Sequence, residues 1–339
     1  MSKNNQKGFF QRYFIDAMSA MALGLFSSLI IGLILSQLST LPHLGFLSQV
    51  TGVLGASSPV VGAAIGVAVA YSLHADPMVI FSCAGVGAVG YAAGGGPVGA
   101  YLGAVIGAEL GQLVSKRTPV DILITPIVTI VTGGMAGALA GPYVNQFMNW
   151  LGDLINAATT LYPLPMGIAV GIVVGMVLTL PISSAALCIM LGLEGLAAGA
   201  AVAGCCAQMI GFAVAGYRDN GFSGLISVGI GTSMLQVPNI LRRPAIWIAP
   251  TIASGVCGAV SAALFQMVST PYGAGMGTSG LVGQITTYTV MAPEHGSVVT
   301  LLLIGFVHFL LPALVTLAID QGMRRAGWVR QGDMTIRTM

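Results

Sequence analysis

Residues 221–244 read GFSGLISVGIGTSMLQVPNILRRP, and this segment constrains how the rest of the chain is arranged. It is apolar enough to enter a lipid bilayer, yet it is rich in Gly, Ser and Thr, is interrupted by Pro238 and ends in Arg242-Arg243. Irregular backbone is tolerated at membrane depth where it is buried in protein or lines a polar cavity. The stretch therefore predicts a re-entrant hairpin, which dips into the membrane, returns to the same side and forms part of a solute site.

The composition of the whole chain indicates a polytopic, all-α membrane protein. Of its 339 residues, 55% are hydrophobic and only 6% are charged, whereas roughly 25% of the residues in soluble domains are charged. The 48 glycines are far above average usage, and many lie inside apolar runs, where small residues let membrane helices approach closely. The deficit of charge excludes an ordinary soluble domain.

The positions of the basic residues predict the topology, because Lys and Arg are enriched on the cytoplasmic side of membrane proteins. The basic clusters are the N-terminal segment, Lys116-Arg117, Arg218, Arg242-Arg243 and the segment from Arg324 onward. With all of them cytoplasmic, the runs from residues 16, 59, 77, 97, 120, 163, 182, 201, 244 and 297 are ten transmembrane spans. The run 222–239 then cannot cross, and the run 273–290 has to be a second hairpin from the opposite face. Both termini are cytoplasmic in this scheme, and no cleavable signal peptide is expected.

These runs divide the chain into two membrane halves. The predicted order is a cytoplasmic basic segment (1–15), an N-terminal membrane half (16–143), an interfacial amphipathic helix (144–161), a C-terminal membrane half with both hairpins (162–321) and a cytoplasmic basic tail (322–339). A weak internal repeat accompanies this division, since the segment from Lys116 to residue 139 resembles the segment from Arg242 to residue 260. Duplication around a midplane site is common in transporters, although Gly- and Pro-rich membrane sequences also resemble one another by chance.

A repeated motif marks the candidate solute site. The pattern GxGTS occurs at residues 229–233 and again at 275–279, once in each predicted hairpin. Unwound backbone and helix ends at such tips offer N–H, C=O and hydroxyl groups, and nearby amides suit a sugar-like or carboxylate solute. The alternative is that these small residues only pack helices. The candidate solute-binding residues are Glu194, Thr232, Ser233, Gln236, Asn239, Thr278, Ser279, Gln284, Glu294 and His295.

Three of these candidates are ionisable. Glu194 lies in the middle of an apolar run, where an ionised side chain is costly and usually faces a cavity or a partner. It is predicted to accept a hydrogen bond from the solute or to carry a proton, with a purely structural hydrogen bond as the alternative. Glu294 and His295 follow Pro293 at the end of the second hairpin, where they form a gate or are simply exposed at the outer face.

Catalytic, metal and cofactor sites are not expected. The five cysteines lie in apolar runs without metal-ligand spacing and are expected to be packing thiols. No phosphate-binding loop, nucleophile–base pair or soluble catalytic domain is present in the sequence, and no direct contact with nucleic acid is expected.

Three long segments resemble a known family. FIDAMSAMALGLFSSLIIGLILSQL (14–38), GPVGAYLGAVIGAELGQLVSKRTPVDILITP (96–126) and ISVGIGTSMLQVPNILRRPAIWIAPTI (226–252) are similar to enzyme IIC-like membrane proteins of the sugar phosphotransferase system, a family that includes perfringolysin O regulator homologues. The resemblance implies a homodimer with a scaffold in the first half and an elevator-like mobile half that holds the hairpins. In sugar-transporting relatives a glutamate and a histidine bind the sugar, which implies such parts for Glu194 or Glu294 and for His295. No IIA or IIB domain is fused to the chain, so coupling to phosphorylation stays open.

The leading hypothesis is a non-enzymatic transporter of a small polar, sugar-like or anionic solute in the bacterial inner membrane. It would work by alternating access as a homodimer in the lipid bilayer, with a cytoplasmic phosphotransferase or regulatory protein as a further partner. The first alternative is a membrane sensor or regulator that binds the solute without moving it. The second alternative is a structural membrane subunit.

Overall fold

The computed structural model describes residues 8–39, 44–55, 58–182 and 184–336, which form helices joined by short turns. Lys3 and Lys7 of the predicted basic N-terminal segment and Arg337 of the predicted tail lie outside the described residues. The chain separates into two compact units. Of the described residues, unit 1 comprises 8–32, 46–55 and 58–147, and unit 2 comprises 33–39, 44–45, 148–182 and 184–336.

The helices of unit 1 are packed through glycines. They are α1 (residues 11–39, of which 11–32 belong to this unit), α2 (Pro59–Ser72), α3 (Pro77–Gly90, continuing to Gly95), α4 (Gly96–Val114) and the first part of α5 (Asp121–Thr159). A Cβ at Gly90 would collide with the backbone of Gly99, and a Cβ at Gly103 with that of Gly133. Successive helices therefore lie antiparallel with their backbones in contact, as small residues permit in membrane proteins.

Charged residues of unit 1 form ion pairs near one of its ends. Arg12 Nη2 lies 2.5 Å from Glu109 Oε1, and the Tyr13 hydroxyl donates to the same oxygen over 2.9 Å. In the turn between α2 and α3, Asp76 accepts hydrogen bonds from Lys116 Nζ at 2.5 Å and Ser115 Oγ at 3.0 Å. The Lys116 ammonium is the main reason why the pKa of Asp76 lies below its ordinary value.

Helix α5 differs from the prediction that a span (120–143) and a separate amphipathic helix (144–161) follow one another. A single helix runs from Asp121 to Thr159 and passes through Pro126 and Pro142. A proline inside a helix removes one hydrogen bond, but in a membrane protein the neighbouring groups can make up the loss without ending the helix. The placement of residues 144–161 at the membrane interface stays a prediction.

The helices of unit 2 surround one buried central helix. In chain order they are α6 (Pro163–Thr179), α7 (Ser184–Met190), α8 (Gly195–Ala215), α9 (residues 222–231), α10 (residues 233–242), α11 (Pro244–Leu264), α12 (Pro271–Ala274), α13 (Val282–His295) and α14 (Ser297–Arg325). Helix α8 is buried along almost its whole length and packs parallel to α6 and antiparallel to α11. A core cluster extends from it to α13 and α14; its members are Ala203, Ala207, Ala253, Cys257, Met267, Met291, Ile304 and Val307.

The boundaries predicted for the spans 182–200 and 201–217 are wrong. Residues 195–215 form the single helix α8, and the break lies before it, between α7 and α8. Gly192 and Gly195 adopt φ values of +58° and +62°, which favour glycine and turn the chain at this point. Hydropathy does not reveal the break between α7 and α8, because all the residues around it except Glu194 are apolar or glycine.

Unit 2 has two distinguishable ends. Helices α8 and α14 run in the same direction, and Arg324 near the end of α14 donates to the carbonyl oxygen of Ala215 at the end of α8 over 3.1 Å. We call this the basic end: Arg325 ends α14, Arg218 follows α8, and Arg242 and Arg243 lie at the end of α10, where Arg243 Nε is 3.5 Å from Asp333 Oδ2 just beyond α14. The opposite end holds the start of α8, the end of α13 and the start of α14.

Length and hydropathy confirm a polytopic membrane protein. Among the described residues, five helical segments are long and apolar enough to cross a bilayer, namely Pro77–Val114, Asp121–Thr159, Gly195–Ala215, Pro244–Leu264 and Ser297–Arg325. The first of these folds back on itself, because Gly94 (φ +85°) and Gly96 (φ +52°) reverse the chain between α3 and α4. Pro59–Ser72 and Pro163–Thr179 are shorter apolar helices. The number of ten spans stays a prediction.

Candidate functional site

Residues 222–242 form a helical hairpin, here called hairpin 1. Its arms, α9 and α10, meet at Thr232, whose backbone is extended (φ −160°, ψ 140°) and whose hydroxyl accepts from the Met234 N–H over 3.2 Å. At 1.5 Å per residue each arm is about 15 Å long, roughly half the thickness of the hydrocarbon core of a bilayer. Neither arm is long enough to cross a membrane.

Hairpin 1 starts and finishes at the basic end of unit 2. Asn220, just before α9, donates from Nδ2 to the carbonyl oxygen of Met334 over 2.8 Å. Asn239, in α10, donates to the carbonyl oxygen of the next residue, Thr335, over 3.0 Å. Because both arms reach the same short segment beyond α14, the chain leaves hairpin 1 at the end from which it entered.

The second GxGTS segment lies in a hairpin that begins and ends at the opposite end, here called hairpin 2 (residues 269–295). Ser269 pairs with Gly195 at the start of α8 through two backbone hydrogen bonds of 3.2 Å. The chain then passes through α12 and the tip, residues 275–280, and returns along α13 to His295. Thr286 of α13 lies against Gly273 on the entering arm. The two hairpins thus enter unit 2 from opposite ends.

The tips of the hairpins meet inside unit 2. The Thr278 hydroxyl donates to the carbonyl oxygen of Gly229, so the two GxGTS segments are in direct contact. Gly277 at this tip has φ +53°, and a Cβ there would collide with the backbone of Cys205 and Cys206 on α8. Glycine is therefore needed at this position both for its backbone conformation and for the close approach.

A third chain reversal, the turn between α6 and α7, joins the two tips. Thr179 at the end of α6 shares a 2.8 Å hydrogen bond with the hydroxyl of Ser233 in hairpin 1. Ser184 at the start of α7 donates over 2.7 Å to the carbonyl oxygen of Gly275 in hairpin 2. The two hairpin tips and the turn between α6 and α7 therefore bring hydroxyls, and backbone groups that lie outside regular helices, to one buried region.

Gln208 organises the side of this region next to hairpin 1, and the sequence interpretation missed it. Its Oε1 atom accepts from the Trp247 indole N–H at 3.0 Å and from the Thr179 hydroxyl at 3.2 Å. Its Nε2 atom donates to Ser254 at 3.2 Å and to Thr251 at 3.3 Å. A glutamine inside the apolar sequence of α8 was a usable signal, since buried amides require partners.

The side next to hairpin 2 contains polar atoms without partners. Gln284 Nε2 lies 3.2 Å from Cys206 Sγ and 3.4 Å from His308 Nδ1. Three buried atoms here have no hydrogen-bond partner in the protein: Ser279 Oγ, Gln284 Oε1 and His308 Nε2. Buried polar atoms are normally hydrogen-bonded, so these are places for ordered water or a polar ligand. The sequence interpretation did not count His308, a histidine in an apolar span, among the candidates, because a lone histidine is more often structural.

Five of the ten predicted site residues are buried at the tips or beside them: Thr232, Ser233, Thr278, Ser279 and Gln284. Glu194, Glu294 and His295 are exposed at the opposite end of unit 2, where α8 begins and α13 ends. Glu194 directly precedes α8, because the break in the chain lies there and not after residue 200. The structure therefore does not bring these three side chains to the tips.

Gln236 and Asn239 are buried, but they face the basic end. Gln236 Nε2 donates over 3.0 Å to the carbonyl oxygen of Met334, and Gln236 Oε1 accepts from Asn239 Nδ2 at 2.7 Å. Their amides are thus occupied by the segment that follows α14. In the described residues no group of three or more His, Cys, Asp or Glu side chains could hold a metal ion.

Comparison with known proteins gives one match. The family model described as "Phosphotransferase system, EIIC" matches residues 15–336, nearly the whole chain. No curated protein and no solved structure matches the chain.

Proposed function

The chain belongs to the phosphotransferase system EIIC family, and on that premise we propose that it moves a small sugar-like solute across the bacterial inner membrane by alternating access. Membership of the family makes it a membrane component of sugar transport. The proposal adds the mechanism, the location of the solute and the residues that bind it.

The observation that carries the proposal is the contact between Thr278 and Gly229, which joins two opposed hairpin tips. Membrane transporters place their solutes near the middle of the bilayer, where interrupted helices offer helix ends and unwound backbone. The unpaired atoms Ser279 Oγ and Gln284 Oε1 lie beside this contact region and are suited to the hydroxyl groups of a sugar. Ser233 and Thr232 supply hydroxyls from the other tip.

The exposed acidic residues have a different role in this proposal. Glu194, Glu294 and His295 lie at the end of unit 2 where hairpin 2 enters, and they line the mouth through which the solute reaches the tips. Their exposure supports a role in entry, since a side chain that holds the solute midway would be buried. Gln236 and Asn239, predicted to bind solute, are assigned instead to the support of hairpin 1.

Orientation and partners follow from charge and family. We place the basic end of unit 2 on the cytoplasmic side, because positive residues favour that side. A cytoplasmic phosphotransferase protein would then meet the face at which hairpin 1 enters. Unit 1 is the proposed scaffold of a homodimer, and unit 2 carries the solute.

The test combines binding with transport for the purified chain. A panel of hexoses, amino sugars, disaccharides and small carboxylates is screened for thermal stabilisation, and the ligand that stabilises is then followed by counterflow exchange in proteoliposomes. We expect saturable exchange that Ser279→Ala lowers at least tenfold. Ser297→Ala is the matched control, because Ser297 is an exposed serine at the start of α14.

The other outcomes separate a transporter from a sensor and test whether the solute binds at the tips. Binding without exchange would favour a sensor over a transporter. Neither binding nor exchange with any member of the panel would contradict the proposal. An equal loss in Ser279→Ala and Ser297→Ala would contradict the assignment of the solute site to the tips.

A further inference from the structure

The segment that follows α14, residues 329–336, folds back onto unit 2 instead of projecting as a basic tail. Gly327 (φ +76°) turns the chain after α14. Val329 and Met334 are then buried, with 2% and 0% of their surface exposed, while Arg330, Gln331 and Gly332 between them are exposed. Two apolar side chains thus anchor a segment in which residues 330–332 and 335 are exposed.

The start of hairpin 1 binds the backbone of this segment. The Asp219 carboxylate accepts from the N–H groups of Gly332 at 2.9 Å and Met334 at 3.1 Å. The Asn220 side chain accepts from the Ile336 N–H at 2.7 Å and donates to the Met334 carbonyl oxygen at 2.8 Å. Residues 331–334 form a turn, in which Asp333 N–H donates to the carbonyl oxygen of Arg330 over 3.2 Å, so Asp219 and Asn220 bind the N–H groups of this turn and of the residues that follow it.

The end of hairpin 1 binds the same segment from its other arm. Gln236 donates to the carbonyl oxygen of Met334 and Asn239 to that of Thr335, each over 3.0 Å. Arg243 Nε lies 3.5 Å from Asp333 Oδ2. Side chains of α10 and of the residues that flank hairpin 1 on both sides therefore form one slot, which we call the latch slot: Asp219, Asn220, Gln236, Asn239 and Arg243.

We propose that the latch slot is a peptide-binding site, that its occupant is residues 329–336 of the same chain, and that this segment is a latch holding the two arms of hairpin 1 together. The arms are too short to be stable by themselves, since isolated helices below about 12–15 residues are marginal even in favourable sequences. Most of the hydrogen bonds go to backbone atoms, and specificity comes from the buried Val329 and Met334. The latch does not depend on which solute the protein carries.

The test measures the accessibility of position 334 in the full chain. Met334→Cys and Gln331→Cys variants are prepared in detergent and labelled with a bulky, water-soluble maleimide. All five native cysteines are buried and give a low background. We expect the Met334→Cys variant to react at least tenfold more slowly than the Gln331→Cys variant, because Met334 is buried and Gln331 is exposed.

Removing a hydrogen-bond acceptor from the latch slot should release residues 329–336. Asp219→Ala removes the acceptor of two backbone N–H groups and is expected to raise labelling of the Met334→Cys variant at least fivefold. Asp153→Ala, which removes an exposed aspartate in α5, is the matched control and should leave the rate unchanged. Equal labelling of the Met334→Cys and Gln331→Cys variants would overturn the latch. So would an unchanged rate when Asp219→Ala is added to the Met334→Cys variant and the protein stays well folded.

A second measurement needs no substitution in the slot. The synthetic peptide VRQGDMTI, which reproduces residues 329–336, should compete with the native segment and raise labelling of the Met334→Cys variant in a saturable manner. The same peptide with aspartate in place of its methionine should have no effect, because it lacks a buried anchor. Saturable competition supports a peptide site, and equal effects of both peptides, or no effect of either, would contradict it.

Discussion

The hydroxyl of Thr278 donates a hydrogen bond to the backbone carbonyl oxygen of Gly229, and this bond joins the tips of two hairpins that enter unit 2 from opposite ends. Both residues are buried. Thr278→Val keeps the shape of the side chain but leaves the Gly229 carbonyl without this donor. We expect unfolding to become easier by about 1–3 kcal/mol, the usual cost of an unsatisfied buried polar group.

Thr278→Ser is the control for this prediction, because serine keeps the hydroxyl and loses only a methyl group. Thermal unfolding in detergent, followed by tryptophan fluorescence, compares the two variants with the parent. The valine variant should unfold at a clearly lower temperature than the serine variant. If the two variants unfold together, the Thr278–Gly229 bond does not stabilise the contact between the tips.

Residues 222–242 form a helical hairpin where the sequence predicted one at 222–239, because three independent features coincide there; its re-entrant placement in a membrane stays a prediction. Small polar residues, Pro238 and the flanking arginines all disfavour a crossing helix, and the repeated GxGTS pattern indicated the second tip. Such local features can be recognised in a single sequence. The sequence also predicted that the two tips approach each other, but not the specific contact between Thr278 and Gly229.

The position of Glu194 could not be predicted in the same way. Hydropathy places it inside an apolar run, whereas the positive φ values of Gly192 and Gly195 turn the chain immediately beside it. Glycine in an apolar run either packs a helix or breaks it, and sequence alone does not distinguish these uses. Gln236 illustrates a second limit, because its partner, the Met334 carbonyl oxygen, is 98 residues away in sequence.

Gly277 is predicted to be the most sensitive glycine of the two tips. Its φ of +53° disfavours any other residue, and a Cβ would collide with the backbone of Cys205 and Cys206 on the central helix. Gly277→Ala should lower the free energy of unfolding by about 2–4 kcal/mol, since backbone strain and overpacking act together. Thermal unfolding in detergent measures the change.

Gly305→Ala is the matched control for Gly277→Ala. Gly305 lies within α14 with ordinary helical angles (φ −57°, ψ −41°), and nothing lies within 4 Å of the position a Cβ would take. Alanine is favoured over glycine inside a helix by roughly 0.5–1 kcal/mol, so this variant should be unchanged or slightly more stable. Similar destabilisation of both variants would show that glycine loss in general, and not the tip geometry, is responsible.

Asp76 is predicted to stabilise unit 1 in a pH-dependent manner. Lys116 and Ser115 hold the pKa of Asp76 below its ordinary value of 3.8, so its contribution is complete above that value and is lost as the pH falls through the lower, folded-state pKa. Asp76→Asn should therefore lower the unfolding temperature at pH 7, and the difference from the parent should shrink below about pH 4. The effect at pH 7 should be under about 1 kcal/mol, because the Lys116 side chain is 71% exposed and its charge is screened. Asp153→Asn, at an exposed site, is the control, and a difference that grows at low pH would contradict the role of the Asp76 carboxylate.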